Sequence, residues 1–197
     1  MKPLSLNKPH LIVMVGIPGA GKSSFAKSFA ASFKAPLISH DHILQEIFDS
    51  PERTKKEEII TAGVAEYMLD ETLKTGQTIV YDGLSSTRSS RAEIVKKAKN
   101  AGYKTLLIWV QTDQATARKR LITESKKRSV INPEQFETYV NKFSAPQQNE
   151  NVVVISGKHT YSSQLKIVLK RLADPQDIVV KQPEATRPNA VRRFLIR

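Results

Sequence analysis

Apolar positions along this chain fall into two patterns that alternate from one end to the other. Short unbroken runs stand at Leu11–Val15, Pro36–Ser39, Thr78–Tyr81, Thr105–Val110 and Val152–Ile155. They have strand length, and their continuous hydrophobicity is what burial on both faces of a sheet requires. Between them, apolar residues recur at three- and four-residue spacing. Ser23–Phe33 puts Phe25, Phe29, Ala30 and Phe33 on one helical face, and Lys55–Thr75 carries Ile59, Ile60, Val64, Tyr67, Met68 and Leu73. Ser89–Ala101, Pro133–Phe143 and Ser162–Leu172 read as further helices, with a short one at Ile43–Phe48. Gly102 is positioned to cap the helix that precedes it.

Strands alternating with helices predict an α/β fold, a five-stranded parallel sheet with helices on both faces. No internal repeat is visible. After Leu172 the composition changes: Pro175, Pro183 and Pro188 break any long helix, and Val191–Arg197 is basic and apolar. The expected organisation is one domain over 1–172 and an extended basic tail over 173–197.

Composition narrows the class only slightly. The 197 residues are 40% hydrophobic and 25% charged, ordinary for a globular protein. The absence of cysteine excludes disulfides, thiolate-ligated zinc and a thiol nucleophile. No apolar run reaches the roughly 18–20 residues that span a bilayer, and Leu11–Val15 is too short for a signal-peptide core. A cytoplasmic protein without membrane partners is expected. The net charge of +12 fits either a polyanionic partner such as nucleic acid or solvated basic faces.

The decisive motif is Gly16-Ile17-Pro18-Gly19-Ala20-Gly21-Lys22-Ser23, followed by Ser24. It satisfies G-x-x-x-x-G-K-[ST] at every fixed position. The glycines let successive backbone N–H groups face one anion, and the following helix turns its positive end to the same phosphates. Lys22 is expected at the β- and γ-phosphates, and Ser23 on magnesium. The loop follows an apolar run and opens an amphipathic one, as the mechanism requires. A chance match in a chain of this length is about one in a hundred on average residue usage. ATP and Mg2+ are the expected cofactors.

Asp41 follows the second apolar run and Asp82 ends the third. In a parallel sheet those ends line the ligand crevice. Asp41 can accept a proton from an attacking hydroxyl or orient it, and can equally cap the helix that follows. Asp82 resembles the carboxylate that helps hold magnesium, with substrate contact or a turn before Gly83 as alternatives. It lacks the following acid that motors use to activate water. Asp113 reads as a turn or cap residue.

The basic stretch Thr112–Ser129 carries Arg118, Lys119, Arg120, Lys126, Lys127 and Arg128. Such a segment can close over phosphates and bring guanidinium groups to the transferring phosphoryl, or be a solvated helix face. Arg120 and Arg128 are the chosen candidates. Arg88 and Arg91 open a helix against the dipole preference, which hints at a nearby anion. The four histidines lack metal-ligand spacing and read as surface residues, and Trp109 reads as core.

Together, the Gly-x-Pro-Gly-x-Gly-Lys-Ser loop, Ser39-x-Asp41, and Tyr81-Asp82-Gly83 with Thr87-Arg88-x-x-Arg91 resemble the P-loop kinases of the polynucleotide kinase and zeta toxin-like group, among the AAA-domain ATP-binding proteins. Arg120, Arg128, Phe143-x-x-Pro146, Glu150 and Val152–Ile155 follow that group's order. The resemblance covers about residues 10–170. It implies a P-loop three-layer sandwich with a helical lid and transfer of the ATP γ-phosphate to a hydroxyl. Asp41 would then be the base, Lys22 the phosphate clamp, Ser23 the magnesium ligand, and the lid arginines the charge stabilisers. Two positions differ where acceptors are recognised: Leu44 stands where relatives often carry arginine, and Gly83-Leu84-Ser85 replaces x-Thr-Asn.

The acceptor expected first is a small-molecule or nucleoside-like hydroxyl. A polynucleotide 5′-hydroxyl is the alternative, and a nucleotide-dependent binding module without transfer is the alternative of another class. A GTPase switch is disfavoured because Asn141-Lys142-Phe143-Ser144 lacks the aspartate of N-K-x-D.

Overall fold

The computed structural model describes residues 8–124 and 131–173. Five strands, β1 (His10–Val15), β2 (Leu37–Ser39), β3 (Ile79–Asp82), β4 (Lys104–Gln111) and β5 (Val152–Ser156), form one parallel sheet. The order is β2-β3-β1-β4-β5. Among the described residues, seven helices connect or flank the strands: α1 (Lys22–Phe33), α2 (His40–Ile47), α3 (Lys55–Leu73), α4 (Arg88–Asn100), α5 (Gln114–Glu124), α6 (Pro133–Lys142) and α7 (Tyr161–Ala173). All five expected strands form, within a residue or two of their expected bounds.

β1 explains why the strands read as unbroken apolar runs. Leu11, Val13 and Val15 point into one hydrophobic layer, with Ala65, Leu69 and Leu73 of α3 and Ile94 and Ala98 of α4. Ile12 and Met14 point into the other, with Phe25, Ala26 and Phe29 of α1 and Val168 of α7. The five residues Leu11–Val15 are fully buried, because a central parallel strand has no solvent face. On α1 the rings of Phe25, Phe29 and Phe33 pack in series, the first pair stacked and the second tilted, with centroids 5.8 and 4.7 Å apart.

Helix ends follow local chemistry. Thr54 and Glu57 form a reciprocal capping box at α3, and Asn132 and Gln135 do so at α6, where Pro133 opens the helix. Ala101 caps α4, and Gly102 follows it at φ +82°, in the left-handed position that ends many helices. Trp109 packs on Phe143, 6.3 Å between centroids, against the core.

Parallel pairing has one consequence for function. The C-terminal ends of all five strands open on one edge of the sheet, where the strand order places β1 between β3 and β4.

Candidate active site

The loop between β1 and α1 lies at that edge. Gly21 is the N-cap of α1 at φ +105°, and Gly19 has φ +74°. At Gly19 any Cβ would stand 2.3 Å from the Ala117 carbonyl oxygen, so both the conformation and the space require glycine. The Lys22 ammonium donates to the Ile17 carbonyl at 2.9 Å, against the loop's own backbone. Burial lowers its pKa, and Asp82 and Asp41 partly restore it, so both carboxylates share its electrostatic environment.

Asp82 ends β3 and is buried. Burial raises its pKa, and Lys22 and a hydrogen bond from Ser23 pull it back. Asp41 differs. It sits in the first turn of α2, whose N-cap is Ser39, so the expected capping role is not the one it fills. Its side chain is 51% exposed and accepts from Arg53 Nη2 at 2.6 Å. Partial burial works to raise its pKa, and Arg53, with Lys22 and His40, more than reverses this, leaving the carboxyl below its ordinary range.

Arg53 is the principal residue that sequence reasoning missed. It lies at φ +59°, with a side chain 7% exposed. Besides Asp41 it faces Glu58 of α3, 3.4 Å from Nη1, and Tyr139 of α6 donates to the same Glu58 oxygen at 3.4 Å. His40 packs 3.5 Å from the other oxygen of Glu58 and is buried, which corrects its reading as a surface residue. Burial lowers the His40 pKa more than Glu58 raises it. The Thr54-x-x-Glu57 box signals where α3 begins, so it marks Arg53 as the last residue before the N-cap. Nothing in the sequence pairs Arg53 with Asp41.

The expected arginines separate. Arg120 of α5 donates to the carbonyls of Gly157 at 2.9 Å and Ala20 at 3.4 Å, so it joins the phosphate loop to the β5–α7 turn. Arg91 is fully buried and grips Glu150 with two bonds, Nε to Oε1 at 2.7 Å and Nη2 to Oε2 at 3.0 Å. Its Nη1 donates to the Ser85 and Ser144 carbonyls. Substrate contact by Arg91 is therefore corrected: its donors are spent inside the fold. Arg88 is exposed and is not among the residues lining the cleft. Arg128 lies outside the described residues. Asp113 does cap α5, accepting from the Thr116 N–H at 2.8 Å, and pairs with Lys158 at 2.7 Å.

Lys22, Asp41, Arg53, Asp82 and Arg120 line one cleft of about 450 Å³, a volume that suits small-molecule ligands. Residues 16–19 and 21–24 of the loop line it, with Ala20 buried beneath, and Asp41, Arg53, Glu58, Asp82 and Arg120 complete its polar wall.

Known proteins resemble this chain in sequence or in fold. The chain is 26% identical over 182 residues to an adenylate kinase of Buchnera aphidicola subsp. Baizongia pistaciae (strain Bp), covering 86% of this chain and 80% of that one. Its fold matches a protein of Chloroflexus aurantiacus j-10-fl inferred to be a kinase (TM-score 0.69, 14% identity, 84% of this chain and 99% of that one). It also matches a gluconokinase from Sinorhizobium meliloti 1021 (0.62, 15%, 86% and 94%) and Kti12 of Chaetomium thermophilum in complex with ADP-AlF3 (0.61, 18%, 81% and 96%). Among the described residues, no helix is long and apolar enough to cross a membrane. The AAA domain family model matches residues 11–146, and the chain belongs to that family, with a P-loop kinase-like fold.

Proposed function

We propose that this chain is an ATP-dependent phosphotransferase that moves the γ-phosphate to a hydroxyl of a small-molecule or nucleoside-like acceptor. One observation carries the reading. Two carboxylates in different electrostatic settings share a cleft with Lys22: Asp82 bonded to Ser23, and Asp41 bonded to Arg53. The kinase class is supported by the adenylate kinase and gluconokinase likenesses.

In this reading the loop N–H groups and Lys22 bind the triphosphate. Ser23 and Asp82 would hold magnesium. They fit it, since a hydroxyl and an under-compensated buried carboxylate are already in contact. No cluster of three acidic or histidine ligands exists among the described residues. Magnesium held by one hydroxyl, one carboxylate and substrate phosphates needs none. Bound with ATP, the ion supplies charge neutralisation on the phosphate oxygens. Asp41, kept deprotonated by Arg53, orients the acceptor hydroxyl and takes its proton. Arg120, with Arg128 in the proposed lid, stabilises charge on the transferring group.

Arg53 favours a small acceptor over a polynucleotide. Its charge is already matched by Asp41 and Glu58, so its guanidinium is engaged within the fold rather than offered to a nucleic-acid phosphate. That setting favours hydroxyl donors over phosphates. The resemblance to polynucleotide kinases and the charge of +12 support the 5′-hydroxyl alternative.

The test is transfer from γ-labelled ATP, with magnesium, to a panel of nucleosides, sugars, aminoglycosides, nucleoside monophosphates and 5′-hydroxyl oligonucleotides. The expected result is label on a small hydroxyl acceptor, lost in Asp41→Ala. Label on a monophosphate, or transfer unchanged in that variant, overturns the assignment. Tight ATP binding with no product on any acceptor favours the binding module.

A further inference from the structure

α3 turns one face to the sheet, burying Thr61, Ala65, Leu69 and Leu73. Its opposite face carries Ile59, Gly63 and Tyr67 in a row at four-residue spacing. Ile59 is 62% and Tyr67 66% exposed, and Ile60 and Met68 flank them, both exposed. Two features of this face serve nothing within one chain. Large apolar side chains stand in water. Gly63 sits in the middle of a helix, where glycine costs backbone entropy, yet nothing lies within 4 Å of the place a Cβ would occupy. Charge is also divided along the helix: Lys55 and Lys56 open it beside Glu57 and Glu58, Asp70 and Glu71 lie near its end, and its last turn holds no basic residue.

We infer that this face is the interface of a homodimer, in which α3 packs antiparallel on α3 of a second copy with the two-fold axis at Gly63. Charge complementarity selects that occupant. Reversing the helix about Gly63 sets Lys56 against Asp70, Lys55 against Glu71, and Ile59 against Tyr67. The axis returns each contact once more, as a self-complementary interface requires. The two helix dipoles then oppose each other. Facing glycines let the axes approach to the short end of the usual 8–10 Å, bringing facing Cα atoms to about 4–5 Å. Lys97 of α4 also holds Glu66 and Asp70, and Lys74 holds Glu71, so the new lysine contacts extend existing networks.

The absence of cysteine makes the test direct. Gly63→Cys places one thiol on the axis, within the Cα separation a disulfide spans. Under mild oxidation the full-length Gly63→Cys protein is expected to cross-link at least ten times faster than a Lys166→Cys control on α7. Light scattering of the wild type is expected to rise from 22.1 kDa towards twice that value with concentration. Ile59→Glu with Tyr67→Glu should weaken association at least tenfold. Lys56→Asp and Asp70→Lys should each weaken it, and the double exchange restore it. A wild type that stays monomeric at all concentrations, with Gly63→Cys no faster than the control, overturns the proposal. That holds whether α3 is then bare or covered by residues 174–197.

Discussion

Arg53 donates a 2.6 Å hydrogen bond to Asp41 from a side chain almost removed from water, and the same guanidinium is held from behind by Glu58. A carboxylate acting as a base works only when deprotonated. Arg53 keeps Asp41 below its ordinary value of 3.8, so activity should persist into acid. In Arg53→Gln, partial burial is opposed only by Lys22 and His40, and the midpoint must rise. The acid limb of kcat/KM is expected to move to higher pH, with kcat/KM at pH 7 reduced about tenfold or more through loss of positioning. Superimposable acid limbs would remove Arg53 from the account of Asp41.

Arg91 and Glu150 make a different prediction, because their pair is structural. Arg91→Met takes the guanidinium away from the Glu150 carboxylate and from the Ser85 and Ser144 carbonyls, and urea unfolding should report a loss of about 3–5 kcal/mol. Activity per folded molecule should stay within a few-fold. Burial works to raise the Glu150 pKa, and Arg91 with the Gln147 N–H more than offsets it, so the folded value lies below 4.5. A depressed folded pKa contributes stability above the unfolded value and loses it as pH falls through the folded one. The wild type should therefore lose stability below about pH 4.5, and Glu150→Gln, weaker at neutral pH, should lose less over that range.

Two glycines should respond in opposite directions to the same substitution. Gly19→Ala forces a Cβ onto the Ala117 carbonyl at a left-handed φ. It is expected to cost about 1–3 kcal/mol and to abolish tight ATP binding, measured by denaturant titration and nucleotide fluorescence. Gly63→Ala, in open space on a helix, should add about 0.5–1 kcal/mol to the monomer.

The sequence by itself determined the features whose causes are local. The phosphate loop is eight consecutive residues whose backbone freedom, charge and hydroxyl act together, so its spacing is its mechanism. The strands are legible because a parallel sheet buried on both faces leaves no polar position to interrupt them, as in Leu11–Val15. Asp82 is legible for the same reason, as the polar residue that ends such a run. Tertiary structure alone decided which charges meet. Arg53 and Asp41 are twelve residues apart, and Arg91 and Glu150 are fifty-nine apart. No periodicity links either pair, because their contacts arise from how α2, α3 and α4 pack on the sheet. An arginine near a helix start reads the same whether it faces substrate or a buried glutamate. Its desolvation, and the carboxylate that compensates it, exist only in the folded chain.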